Sequence, residues 1–600
     1  MIKRINYAIP ALVIFLFLWA ALANYPESAR MMEKLNFFVW TPEFLSLKLG
    51  EYPGLNALLT TWLLQFFKDG AGVIIEAGLL ALLTLLAALT PRAWGRSSWT
   101  TFSLIPAVGL AFLCLHRPSA TLEGIFFFSS LIAVGYVCHH GRPWMTTVVI
   151  ALVGILSFGF AAFPVTLLLM LSLAVLQGLR LKPSLRAVRA NPSTLKPKFS
   201  ILNLLLPLLF IVLTVVVVKV LSEHQGFIPF DRRWWFVPEI GDNVTELLLL
   251  FAAPVVLMLV PTFGKSLVQA VVNAVVSIIV GLVCYNHIAD NEGYQVSEDF
   301  YHYSALAEQG EWQQLLSDIN EKGAIQNNVY LQFALLAESR LGTLPEHLFL
   351  YPINTPETFC PRLESSPASC DFCRIFYREL GFLDEAFHQS FQYGMMASSS
   401  CGFCAYSLRH MAEYTVQMGD SLLAEKYLYL LERTSNNGDL VAELRSKLQS
   451  SKAEPQTSNP SVPLRGDNFT MAHAFPSEMA YHLDADPTNR AALDYLLCSL
   501  LLTKRLQVFN TVLTDFADIF KGASLPRAYG EAACMIYHLQ PAALSSSLCY
   551  DPELNAQFEE FTRLHNAGQD DSAYRGTFWY YYVYAQIPPQ QEWIQQSQSS

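Results

Sequence analysis

Two cysteine pairs, Cys370-Asp-Phe-Cys373 and Cys401-Gly-Phe-Cys404, are the residues of this 600-residue chain whose type and spacing point most directly to chemistry. On a helix, residues i and i+3 share a face, so each pair could offer two sulfurs to one tetrahedral zinc ion. The pairs are offset by 31 residues, close to one helical-hairpin repeat. That spacing would set them at matching positions on neighbouring first helices and let four sulfurs converge. Three readings stay open: structural disulfides, with Cys360 as a fifth thiol; a structural four-cysteine zinc site; and inert or redox-active thiols. An exported location favours the disulfides. No βαβ pattern surrounds either pair, which argues against a thioredoxin-like enzyme.

A second candidate is Glu76, within Ala71-Gly-Val-Ile-Ile-Glu76-Ala-Gly, because an ionisable residue inside an apolar span is costly and therefore a candidate functional position. It lies near one end of its span, so a snorkelling or helix-paired carboxylate is the simpler reading. Lys219 reads as an interfacial anchor. No G-x-x-x-x-G-K-S/T, H-E-x-x-H or G-x-S-x-G motif occurs. His302, His347, His388 and His410 are scattered and read as solvated or satisfied side chains. No catalytic residue is assigned, and no cofactor is expected apart from a structural zinc. A formal net charge of -11 argues against nucleic-acid binding, which needs a basic surface.

The elements that must position these residues fall into two halves with different solvents, meeting near His287. At 52% hydrophobic and 13% aromatic residues, the chain is too apolar for an ordinary soluble protein. Apolar runs at 7–24, 71–90, 101–115, 122–138, 145–163, 164–179, 201–221, 244–260 and 267–285 predict about nine membrane spans. The basic, acid-free loops hold Arg92 and Arg96, Arg142, Arg180 to Lys198, and Lys265. All fall on the side of Lys3 and Arg4, which is the cytoplasmic side by the positive-inside rule. Arg117 is the exception. Glu27, Glu33, Glu43 and Glu51 then lie in an external loop at about 25–70, and an odd span count exports the C-terminal half. The first span ends in Ala21-Leu22-Ala23, an A-x-A-like sequence, but its long apolar core reads as a retained span. The basic run 180–198 could attract anionic lipid, although sidedness alone explains it. Segment 55–67 reads as an interfacial or re-entrant helix, and Phe227 to Phe236 as an aromatic anchor.

From Glu298 onward, helical periodicity replaces continuous apolarity. Gly310, Gly342, Gly381 and Gly419 each end one helix just before a second begins. Their steps of 32, 39 and 38 residues bracket the 34-residue tetratricopeptide repeat. The expected domains are a transmembrane unit at 1–287, tetratricopeptide-like repeats at 288–448, a linker or exposed loop at 449–466, and further hairpins at 467–600. The run Phe578-Trp-Tyr-Tyr-Tyr-Val-Tyr584 reads as a closing cap. The fold class is all-α: a polytopic helix bundle followed by a tetratricopeptide-like α-solenoid.

The wording of several stretches adds to this layout. Phe300, Trp312, Leu335, Leu348-Phe349 and Ala424-Glu-Lys-Tyr-Leu428, followed by Asp486-Pro-Thr-Asn489, Ala492-Leu-Asp-Tyr-Leu-Leu497 and Gly576-Thr-Phe-Trp-Tyr-Tyr-Tyr582, carry a resemblance. So does Leu35-Asn-Phe-Phe-Val-Trp-Thr-Pro-Glu-Phe-Leu45 in the membrane half. The chain resembles an uncharacterised family of multispanning Bacteroidota inner-membrane proteins with a tetratricopeptide-like C-terminal domain. The resemblance implies topology and location, but no activity, and the cysteine pairs are not part of it.

Two functions from different classes follow. In the first, the spans anchor a periplasmic helical-repeat domain whose open concave face binds an envelope protein or peptide, with membrane lipid as the other partner. In the second, the chain is a membrane enzyme acting on a lipid-linked substrate through a carboxylate in the first external loop, a glycosyltransferase-like layout supported by analogy alone. A transporter would need Glu76 to face a hydrated cavity.

Overall fold

The computed structural model describes residues 2–68, 70–113, 115, 118–190, 202–225, 244–260, 266–323, 328–353, 358–359, 361, 366–397, 404–453, 475–541 and 548–586. Among these residues the chain is all-helical, with 27 α-helices, a few 3-10 turns and no strand. It divides into two compact units, Met1–Glu298 with Arg433–Ser435, and Asp299–Glu432 with Asn436–Ser600. The aromatic stretch 227–236 and the basic residues 191–198 lie outside the described residues.

In the first unit, five helices are long and apolar enough to cross a bilayer: Ala71–Ala93, Pro118–His140, Phe163–Arg180, Leu202–Val220 and Leu267–Ala289. At 1.5 Å per residue, 23 residues reach about 34 Å, against a hydrocarbon core of about 30 Å. The other four of the nine expected spans are shorter or bent. Tyr7–Leu22 meets Pro26–Lys34 at 89°, and Thr100–Leu113, Trp144–Phe160 and Thr245–Leu257 are shorter apolar helices. Proline explains part of this. Pro118 and Pro143 each open a helix, and Pro254 lies inside the 14-residue helix Val244–Leu257, where a missing N–H weakens the ladder.

Lipid gives helices no hydrophobic reason to associate, so close packing at small residues must do it. A Cβ on Gly281 would come 2.4 Å from Phe17, and one on Gly124 would come 2.9 Å from both Leu83 and Phe251. The segment between the first two apolar runs is itself helical, as Pro26–Lys34, Pro42–Gly50 and Gly54–Leu64. Eleven residues make the last of these about 16 Å long, too short to cross. It is held against the bundle by Asn56 Nδ2, which donates to the Ser119 carbonyl at 3.1 Å. Three further bonds tie the start of this segment to the end of the unit. The Tyr25 hydroxyl donates to the Ile288 carbonyl at 2.7 Å. The Glu298 carboxylate accepts the N–H groups of Glu27 and Ser28, both at 2.8 Å, capping a helix whose first amides have no internal partner.

The second unit begins with helix pairs separated by the glycines singled out above. Gly310, Gly342, Gly381 and Gly419 have φ of 76, 75, 83 and 76°, the left-handed conformation that glycine adopts without penalty. At each, the next N–H reaches back to close the first helix: Glu311 to Leu306, Thr343 to Glu338, Phe382 to Tyr377 and Asp420 to Thr415, the Schellman ending. The partners include Glu292–Gln309 with Trp312–Glu321, Pro367–Glu379 with Leu383–Ala397, and Ala405–Gln417 with Ser421–Leu431. Helix Gly438–Ala453 occupies the first residues of the expected linker.

These helices do not leave an open concave face along Asn328–Leu341 and Pro367–Glu379. Helix Arg490–Leu502 packs on them, with Tyr495 5.0 Å from Phe376 and 5.1 Å from Phe359, and Asn489 Nδ2 donating to Leu380 O at 2.8 Å. The reason lies in composition. Residues 330–339 and 492–502 are buried throughout, and helices apolar on every side must be enclosed on every side. Helix Phe578–Tyr584 inserts Phe578 and Trp579, 0% and 1% exposed, and Trp579 Nε1 donates to the Glu531 carbonyl at 2.8 Å. Trp579→Ala should cost about 3–5 kcal/mol by leaving a cavity where a buried indole was. Thermal unfolding of the full chain in detergent, followed by circular dichroism, checks this, with Tyr580→Phe as the near-neutral comparison.

Candidate functional site

Cys370 and Cys373 lie on helix Pro367–Glu379, 2% and 0% exposed. Cys370 faces the next helix, its sulfur 3.8 Å from Met396 Sδ and 3.9 Å from Gln392 Oε1. Cys404 is also buried, but it precedes helix Ala405–Gln417 as its N-cap residue. Cys404 therefore does not match Cys373, which lies within its helix. Cys401 and Cys360 lie outside the described residues. Among the described residues no disulfide joins two cysteines, and no group of three His, Cys, Asp or Glu side chains is placed to hold a metal ion. Burial pushes the thiols of Cys373, Cys370 and Cys404 up from their ordinary value, with neighbouring negative charge adding to the effect.

Beside them is a cluster that sequence reading did not single out. Arg374 is 1% exposed, yet it sits on the same helix as the first cysteine pair. Its guanidinium donates to Asp371 Oδ1 at 2.7 Å, Glu308 Oε1 at 2.6 Å, Tyr406 Oη at 2.8 Å and Tyr414 Oη at 3.1 Å. Asp371, also 1% exposed, accepts a further bond from the Ser304 hydroxyl at 2.7 Å. Three helices, Glu292–Gln309, Pro367–Glu379 and Ala405–Gln417, thus meet on one cation. Burial opposes the charge on Arg374, but the facing carboxylates and phenols outweigh it and hold the guanidinium protonated. The signal was an arginine set between Phe372-Cys373 and Ile375-Phe376, with an aspartate three residues before it.

His410 extends this cluster toward the surface. Its Nδ1 lies 3.1 Å from Glu413 Oε2. Its Nε2 lies 3.2 Å from Glu308 Oε1, close enough for an ion pair but without hydrogen-bond alignment. Burial works against ionisation of Glu413, but the His410 hydrogen bond and charge outweigh it and hold the carboxyl below its ordinary 4.5. Arg374 and Asp371 saturate one another, so the cluster clamps three helices and presents no free nucleophile.

In the membrane-spanning unit, Glu76 is 5% exposed, enclosed by the bundle instead of reaching the surface. A second intramembrane carboxylate, Glu123, is 0% exposed. Its Oε1 accepts the N–H of Ala162 at 3.3 Å, immediately before helix Phe163–Ala190, where the positive end of the helix dipole favours an anion. An acid two residues into the apolar run 122–138 was its only signal, masked by the apolarity around it. The glutamates of the segment 25–70 differ in surroundings. Glu27 pairs with Arg30 at 2.8 Å and Glu51 with Lys48 at 3.0 Å, Glu43 is exposed, and Glu33 is buried.

A family of unknown function, DUF6057, matches residues 1–585, and the chain belongs to it. No curated protein and no solved structure matches the chain.

Arg374→Ala strands the Asp371 carboxylate in the interior and should cost about 3–5 kcal/mol. The double change Arg374→Met with Asp371→Leu removes both charges and should cost far less, as chemical denaturation of the full chain would show. The depressed Glu413 carboxyl contributes stability that is complete above its unfolded value and is lost as pH falls through its lower folded value. The melting temperature of the wild type should therefore drop in acid below about pH 4.5. Glu413→Gln should lack that increment at neutral pH and show a shallower acid loss.

Proposed function

We propose that this chain is a bacterial inner-membrane protein of nine spans, with its N-terminus in the cytoplasm, that anchors a periplasmic tetratricopeptide-like unit whose role is to bind an envelope protein or peptide. The nine spans and the sidedness rest on the apolar runs and on the loops of Arg92, Arg96, Arg142 and Lys265. The observation that carries the binding role is an exposed apolar stripe on helix Leu383–Ala397. Phe391 and Met395 are 47 and 54% exposed, at i and i+4 on one face, and Met396, 41% exposed, borders them. Methionine is flexible and polarizable, and Met-rich faces adapt to varied apolar partners. Contiguous exposed apolar surface of this kind marks interaction sites. The four sulfurs of the cysteine pairs would be structural elements of this unit, as disulfides or as a zinc site completed by Cys401.

The alternative enzyme reading needs a carboxylate free to act in the first external segment. Glu27 and Glu51 are held in ion pairs, which favours the anchored binding unit over it. Photoreactive residues placed at Phe391 and at Met395 in the native membrane should capture the same protein or peptide, and Phe391→Glu should abolish capture from position 395. Crosslinks that differ between the two positions, or that are unchanged by Phe391→Glu, would refute the binding role.

A further inference from the structure

Helix Leu383–Ala397 carries His388, Gln392 and Met396 at i, i+4 and i+8, one row along a single face. Cys370, on helix Pro367–Glu379, stands against that row. Its buried sulfur lies 3.8 Å from Met396 Sδ and 3.9 Å from Gln392 Oε1. The other atom of the Gln392 amide, Nε2, lies 3.0 Å from His388 Nε2. One amide group therefore links a thiol to an imidazole, and a thioether lies beside the thiol. His388 is oriented from behind, because its Nδ1 is 3.3 Å from Glu385 Oε1. With its Nδ1 proton directed at the carboxylate, the ring keeps a lone pair on Nε2 and turns it along the row. Glu385 is held in turn by Gln389, whose Nε2 donates to Oε1 at 2.7 Å.

Thiolate and thioether sulfurs are the soft donors that select copper(I), and imidazole also suits copper. Zinc takes cysteine, histidine and carboxylate ligands, so the methionine decides against it. With metal–sulfur bonds of about 2.3 Å, the length found for zinc, two sulfurs on one three-coordinate ion stand about 4 Å apart. Cys370 and Met396 already have that separation. Solvent reaches the row at both ends, where Met396 is 41% exposed and the His388 side chain 50% exposed. Apolar packing accounts for Cys370 against Met396, but not for an imidazole whose lone pair is turned toward the same thiol. A ligating histidine characteristically gives its other N–H to a carboxylate, which fixes the ring, and Glu385 is placed for that.

We infer that this is a copper(I) site, with the sulfurs of Cys370 and Met396 and Nε2 of His388 as its ligands and the Gln392 amide moving aside as the ion enters. The Cys370 S–H bond breaks, its proton leaves to water and a copper–sulfur bond takes its place, with no change in oxidation state. Cys370 then has no part in a disulfide or a zinc site, while the protein-binding role at Phe391 is unaffected.

The test is anaerobic titration of the full chain in detergent with copper(I), in competition with a copper(I) chelator. Cys370→Ala, Met396→Leu and His388→Ala should each weaken copper retention about tenfold or more relative to the wild type. Met396→Leu keeps the apolar volume at a half-exposed position, so its circular dichroism should be unchanged, and it provides the readout should the cysteine variant fail to fold. Wild-type affinity in Met396→Leu, or in folded Cys370→Ala, would overturn the site. Wild-type affinity in His388→Ala would overturn the ligand set. Zinc(II) retained through Cys370 and indifferent to Met396→Leu would overturn the assignment to copper, as would a Cys370 that an alkylating reagent modifies in denaturant only after reduction. Loss of crosslinking at Phe391 would leave the copper titration untouched, so the two proposals fail separately.

Discussion

Inside a bilayer no water completes a hydrogen bond, and the membrane-spanning unit is organised by that constraint. Every backbone amide must be satisfied within its own helix or by a neighbour, at a cost of several kcal/mol for each that is not. Long apolar helices meet the demand for most of their length. The ends and breaks need help, as where Glu123 accepts the amide just before helix Phe163–Ala190. Asn56 and Trp94 add second bonds to carbonyls within helix Pro118–His140, those of Ser119 and Leu131. The same constraint explains the glycines: where helices must touch closely to gain packing energy, a side chain would collide.

The second unit follows a different logic, in which apolar burial supplies the energy and polar groups supply the order. Its glycine-terminated helices end alike, so successive pairs turn in a similar way. Where glycine is absent the same ending still occurs: Lys504 takes φ of 55°, and the N–H of Arg505 bonds to Leu500. Among the buried polar groups, Arg374 is the most consequential. A guanidinium with partners on three helices specifies their register as well as their contact, a role attested for buried polar groups in other folds.

Much of the architecture was legible in the sequence, for stated reasons. Runs of about 20 apolar residues cannot be mistaken for soluble helices, and glycine before a new amphipathic run marks a helix end. What was not legible depended on long-range packing. Nothing near Tyr495 says that it will lie against Phe359 and Phe376, so the enclosure of the first helix pairs was missed in favour of an open face. Arg374 and Glu123 were obscured because hydropathy averages over a window and a single charge barely lowers it. The cysteine spacing promised two equivalent pairs, but spacing carries no information on where a helix begins, and Cys404 falls one residue before one.

The cap that Glu298 places on helix Pro26–Lys34 spans 271 residues of chain. A ribosome adds residues at about 5–20 per second, so the amides of Glu27 and Ser28 wait about 15–50 s before their carboxylate exists. For that interval the first external helix lacks the bond that fixes its finished position. Biogenesis of this protein therefore includes a half-built period, ended only when the last residues of the membrane-spanning unit emerge and close back on its first turn.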